Sequence, residues 1–166
     1  MNNKKLLIPT HIKEFYKNVK GDEFSTEGDL LCTCGHYKFS ILLGADLSGE
    51  YIGTIEYKGD YYLIVYAVCG KCGKEVLIFD NNQHGWDGFV CSNTDKTEYP
   101  KNEFKPLPQD DFVKIKLMFQ GEGIDDFINE TDGEFPKERW VDGFGWFAMS
   151  ICESKEFKEI ISFETM

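Results

Sequence analysis

Thiols carry the strongest chemical signal in this chain. Cys69-Gly70-Lys71-Cys72-Gly73-Lys74 places two cysteines in a glycine-rich turn between the apolar runs Ala67-Val68 and Val76-Leu77-Ile78-Phe79. A second pair, Cys32-Thr33-Cys34-Gly35, is also bracketed by apolar residues. Structural Zn²⁺ takes four thiolate or imidazole ligands in a tetrahedron, and close cysteine pairs supply two ligands per turn. The glycines let the backbone fold back so that amides point at sulfur, and the lysines add positive charge beside a negative centre.

Two such turns separated by a hairpin resemble the zinc ribbon, a family in which two knuckles clasp one metal. The resemblance covers roughly residues 29–80 and rests more on the second turn than on the first. It implies a structural Zn²⁺ held by Cys32, Cys34, Cys69 and Cys72. One residue separates Cys32 from Cys34 where the ribbon pattern usually has two, so the first turn must be tighter. His36 is close enough in sequence to replace a sulfur, and His84 is a remoter candidate.

Other chemistries are less well served. A thioredoxin-like use of Cys69 and Cys72 needs a helix N-terminus to activate the thiol, and a β run follows instead. Catalytic zinc keeps an open coordination position, which four cysteines would close. His84-Gly85-Trp86-Asp87-Gly88 sets an imidazole and a carboxylate on one loop. That pair could serve acid–base chemistry in a small hydrolase or transferase, or simply form a turn in which Asp87 caps amides and Trp86 covers the core. Gly121-Glu122-Gly123 is too short to cradle phosphate. Asp125, Asp126, Glu130, Asp132 and Glu134 do not follow a calcium-loop spacing and read as a solvated face. Trp86, Trp140 and Trp146, with Phe144 and Phe147, suit either an interaction surface or a β core.

The elements that position these residues are mostly strands. The spacing of Ile12, Phe15, Tyr16 and Val19 after Thr10 predicts one N-terminal amphipathic helix ending near Gly21. Beyond it the period shortens. Lys38–Leu43, Thr54–Tyr57, Tyr61–Tyr66, Glu75–Asp80 and Phe112–Phe119 read as strands, and residues 145–164 as a final hairpin. A short helix is expected around Ile124–Asn129, and Asn81–Gly88 reads as a loop. Lys74-Glu75-Val76-Leu77-Ile78-Phe79-Asp80 aligns with Lys158-Glu159-Ile160-Ile161-Ser162-Phe163-Glu164, and Cys69 with Cys152, which fits either a degenerate duplication or the generic likeness of two hairpins.

The 166 residues are long enough to bury a core, and 15% of them are aromatic, which favours pleated structure. The net charge of −11 is uneven: residues 1–83 hold 11 acids and 9 bases, residues 84–166 hold 18 and 9. Such a surface repels nucleic acid and anionic membranes and suits a basic protein partner. Leu6-Leu7-Ile8 is too short for a signal-peptide core, so a cytoplasmic location with reduced thiols is expected.

These features predict an α+β, mainly antiparallel β fold with zinc-ribbon-like hairpins and a short N-terminal helix. A single domain spans 1–166, with a ribbon-like unit at 29–91 and an acidic, hairpin-rich part at 112–166 joined by an exposed connection, 92–111. The expected function is a non-enzymatic, metal-stabilised protein-binding module, for which an inhibitor or immunity type is one role that fits.

Overall fold

Alternating burial along the chain builds one large curled sheet. The structure is a computed structural model that describes residues 5–46, 53–91, 98–107, 112–152 and 154–165. Its strands are β1 (Tyr16–Gly21), β2 (Ser25–Leu30), β3 (Lys38–Gly44), β4 (Ile55–Tyr57), β5 (Asp60–Tyr62) and β6 (Ile64–Cys69). They continue with β7 (Glu75–Asp80), β8 (Lys105–Pro106), β9 (Val113–Gln120), β10 (Trp146–Cys152) and β11 (Phe157–Glu164). Two short helices, α1 (Gly85–Val90) and α2 (Ile124–Glu130), and three 3-10 turns complete the described chain.

All the strand pairings are antiparallel, and β9 is the hub. One of its edges pairs with β10 from Trp146↔Gln120 to Cys152↔Lys114. The other pairs with β2 along Gln120–Lys116 and then with β3 at Val113 and Lys114. The sheet curls into a half-barrel. The outer strand β7 thereby comes to face β10 and β11 across the interior. Phe79 of β7 stacks on Phe147 of β10 at 4.7 Å and meets Phe163 of β11 at 5.5 Å. Offset aromatic pairs of this kind add about 0.5–1.5 kcal/mol beyond the area they bury. Phe119 and Phe144 extend the same cluster.

The N-terminus departs from the expected helix. A 3-10 turn, Thr10–Ile12, is followed directly by β1. The helical spacing is produced by a strand irregularity: the β1–β2 register shifts between Lys17 and Lys20, and Asn18 adopts φ 55°. An extra residue in a strand converts the inward repeat from i, i+2 to i, i+3, so Tyr16 and Val19 imitate one face of a helix. Asn tolerates the left-handed region better than most residues, and its amide donates to Asp29 at 3.0 Å. The segment before β1 ties distant parts of the sheet together. Leu7 donates its N–H to Asp22 O, accepts from the Thr26 hydroxyl, and is buried with Ile12.

The ribbon-like hairpins are likewise replaced by a different arrangement. Cys69–Lys74 does cap the β6–β7 hairpin, but Cys32–His36 lies between β2 and β3, which pair with β9 rather than with each other. The stretch 54–66 divides into the two-stranded β4–β5 sheet and the start of β6. Of the 92–111 connection, residues 98–107 lie on the sheet: Lys105 and Pro106 pair with Leu43 and Leu42, and Phe104 packs near Tyr66. Its other residues fall outside the described ones. No helix among the described residues is long and apolar enough to cross a membrane.

Candidate functional site

The two cysteine turns meet at one end of the half-barrel. Hydrogen bonding shapes each turn. Cys69 donates its N–H to Lys74 O and accepts at its own carbonyl from Gly73, which sits at φ 74°. In the first turn Cys32 donates its N–H to His36 O, and its carbonyl accepts from Gly35, at φ 91°. Both glycines occupy the left-handed region that a Cβ disfavours, so each permits the chain to reverse behind its sulfurs. Gly70 N–H donates to Lys38 O, fastening the second turn to the start of β3, which leads out of the first.

The four Sγ atoms of Cys32, Cys34, Cys69 and Cys72 all lie within 4.8 Å of one another. Two contacts cross between the turns: Cys32 to Cys72 at 3.5 Å and Cys34 to Cys69 at 3.6 Å. These separations exclude disulfides, whose sulfurs are about 2.05 Å apart. They match the edge of a tetrahedron with metal–sulfur bonds of about 2.3 Å, which is about 3.8 Å. Cys32 and Cys69 are buried, while Cys34 and Cys72 face solvent, which leaves a route for an ion to enter. The cluster can therefore hold a metal ion such as zinc.

Its electrostatics favour negative sulfur at one position first. Burial pushes the Cys69 thiol up, but the N–H groups of Cys72 and Lys71, with the thiols of Cys34 and Cys32, outweigh it and bring the group well below an ordinary thiol. The Lys71 N–H lies 3.4 Å from Cys69 Sγ. At Cys72 the Lys74 amide pulls the pKa down, yet hydrogen bonding to Cys32, burial, and the Cys69 and Cys34 thiols raise it overall. A thiol cluster without a cation thus resists holding more than one negative charge, which a divalent ion would compensate. The Lys74 ammonium donates to Thr33 Oγ1 at 3.1 Å and lies over the Phe15 ring, bridging the two turns.

Neither histidine considered as a substitute ligand belongs to the cluster. His36 gives it only a backbone carbonyl, and its ring lies beside Tyr37 at 5.6 Å. His84 lies beyond the opposite end of β7, about 20 Å from the sulfurs at the rise of an extended strand. Cys91 is exposed at the end of α1, and Cys152, half-buried, closes β10.

His84 instead faces a residue that no sequence spacing singles out. Its ring stacks on that of His11 at 3.6 Å, 9° from parallel. His84 Nδ1 accepts from the Asp80 N–H at 3.0 Å, and His11 Nε2 donates to Ile78 O at 2.8 Å. Burial holds His11 below the usual imidazole range, against the raising effects of the Ile78 carbonyl and Asp142. The pair lines a cleft of about 280 Å³ together with Arg139 and Asp142. Asp87, expected as the partner of His84, is exposed on α1 and does not line that cleft. The loop expected at 81–88 is a turn that leads into α1 at Gly85. Phe144 and Phe147 are core residues, whereas Trp86, Trp140 and Trp146 are each half-buried. No spacing in the sequence singles out Arg139, the only arginine in the chain.

Comparison of the chain with models of protein families, with characterised proteins and with solved structures gives no match.

Proposed function

We propose that this protein is a metal-stabilised, non-enzymatic protein-binding module, of inhibitor or immunity type, with a structural Zn²⁺ held by Cys32, Cys34, Cys69 and Cys72. Four soft thiolates suit zinc and complete its tetrahedron, so the ion has no open position for a substrate. Its work is then to join the loop after β2 to the tip of the β6–β7 hairpin.

The partner surface lies in the acidic half of the chain, and one observation carries it. Asp125, Asp126, Glu130, Asp132, Glu134 and Glu138 all face solvent on and after α2, and none forms an ion pair among the described residues. The carboxyl of Glu122 is raised by sharing a hydrogen bond with Glu130, with burial, Glu130 and Asp126 adding to the effect. Crowded, uncompensated carboxylates are relieved by a basic partner, which also gains rate from long-range attraction.

Two measurements test the two halves. Elemental analysis should find one zinc per chain; a protein free of zinc removes the metal assignment. Candidate basic partners identified by cross-linking should bind more weakly as salt rises, and the charge reversals Asp125→Lys and Asp126→Lys should abolish binding without changing the metal content. Binding insensitive to both salt and charge reversal would refute the acidic docking face.

A further inference from the structure

The only arginine of the chain and two of its three histidines converge on one cleft, from segments far apart in sequence. His11 comes from the 3-10 turn before β1, His84 from the turn after β7, and Arg139 and Asp142 from the 3-10 turn Lys137–Asp142. Asp142 is 8% exposed and its acceptors are already engaged. Oδ1 takes the Thr10 N–H at 2.9 Å, and Oδ2 takes the Thr10 hydroxyl at 3.1 Å and Arg139 Nε at 2.6 Å.

This arrangement holds the guanidinium by one edge. Its flat face lies over the Phe89 ring at 4.6 Å, so both rotation and tilt are restricted. The two terminal amino groups of Arg139 have no partner among the described residues, and half of the side chain remains accessible. A planar fork fixed in this way is suited to the bidentate recognition of a carboxylate. His11 complements it. Its Nε2–H is committed to Ile78 O, which leaves Nδ1 of the neutral ring as an acceptor, with no partner among the described residues.

We infer that this cleft binds a small organic carboxylate that also bears a hydrogen-bond donor, such as a hydroxy acid. The carboxylate is taken by the free fork of Arg139 and the donor by His11 Nδ1. The cleft volume of about 280 Å³ suits a small metabolite. Charge selects further, because the Asp142 carboxylate bound to Arg139 offsets much of its positive charge. A monoanion is therefore favoured over a phosphate dianion. This site is independent of the sulfur cluster and of the acidic face.

The test is an NMR titration of the full-length, metal-loaded chain carrying ¹⁵N-histidine. Sodium glycolate, sodium acetate and inorganic phosphate are the probes, added at constant ionic strength. Glycolate should produce saturable changes in the His11 ring nitrogens, with acetate, which lacks the donor, about tenfold weaker. Phosphate should be weaker than glycolate. Arg139→Lys keeps a cation beside Asp142 but loses the fork, and should weaken glycolate at least about tenfold. Unchanged His36 signals, outside the cleft, would show that the variant is folded. Absence of a saturable response to glycolate, a preference for phosphate, or equal glycolate affinity in Arg139→Lys would each overturn the assignment.

Discussion

The sulfurs of Cys32 and Cys72 stand 3.5 Å apart although 40 residues separate them in the chain. That contact joins a loop and a hairpin tip whose flanking strands, β2 and β7, do not pair with each other. If an ion bridges them, removing one ligand should release both turns at once. Cys72→Ser should therefore lower stability by more than about 4 kcal/mol, the range reserved for losses such as a structural metal. Lys71→Ala, one residue away and exposed, should cost less than about 0.5 kcal/mol, because the turn uses its backbone N–H rather than its side chain. Denaturant melts of both variants and the parent give the comparison; equal midpoints for Cys72→Ser and the parent would rule the bridging ion out.

A chelator should act at the same place. Stripping zinc with a strong chelator should shift the melting temperature downward by a similar amount in the parent, and should leave Cys72→Ser almost unchanged. Adding zinc back should restore the parent alone. The reading is differential scanning calorimetry with and without the chelator.

The stacked imidazoles predict an acid-side loss of stability. Burial depresses the pKa of His11 in the folded chain relative to 6.5 when unfolded. The unfolded state therefore binds more protons in that range, and stability falls as pH drops from about 6.5 toward the folded value. Protonating both rings would also place two cations 3.6 Å apart. An NMR titration of His11 should give a midpoint below 6.5. Stability measured against pH should fall less steeply for His11→Gln than for the parent between pH 6.5 and the His11 midpoint; comparing the two separates this effect from acid release of the metal.

Tyr16 fills the space that a side chain at position 28 would need. A Cβ on Gly28 would lie 2.5 Å from the Tyr16 ring and 2.9 Å from the Lys17 carbonyl. The ring is 2% exposed and the oxygen belongs to a paired strand, so neither yields cheaply. Gly28→Ala should destabilise by about 1–3 kcal/mol through overpacking. A chemical denaturation midpoint equal to that of the parent would show that β1 can shift away.

A buried hydroxyl chain fixes the N-terminal segment. Tyr16 donates to Thr26 Oγ1 at 3.1 Å, and the Thr26 hydroxyl donates to Leu7 O at 2.6 Å. Thr26→Val should strand the Leu7 carbonyl and leave the phenol only the Leu117 carbonyl at 3.4 Å, at a cost of about 1–3 kcal/mol. Tyr16→Phe leaves the Thr26–Leu7 bond in place and should cost less. Hydrogen exchange at Leu7, whose N–H donates to Asp22, would report whether the segment loosens in Thr26→Val.

What could be read from sequence depended on how local the signal was. The β9 pattern, Val113-Lys114-Ile115-Lys116, gives its strand away because its exposed side chains are charged and its buried ones are branched or bulky. The cysteine turns are legible for the same reason, since the glycines and thiols needed to shape each are neighbours. β2 was not legible. Ser25-Thr26-Glu27-Gly28-Asp29-Leu30 buries Thr26 and Gly28 as well as Leu30, and the first two look polar or neutral until Tyr16 and Leu7 are placed above them. The helix expected over Ile12–Val19 failed because a bulge and a helix can share the same short spacing. His11 had no signal at all: its partners Ile78, His84 and Asp142 are brought to it only by the curl of the sheet.

The placement of the tryptophans has a practical result. Trp86 lies on α1, Trp140 on the 3-10 turn beside Asp142, and Trp146 at the start of β10, so all three indoles sit at the end of the molecule that carries His11 and His84. Intrinsic emission will follow that end and stay largely silent about the sulfurs. Cobalt(II) exchanged into the thiols, read by its visible absorption, offers a colour for the other end, and unfolding followed at both wavelengths will show whether the two ends give way together or in turn.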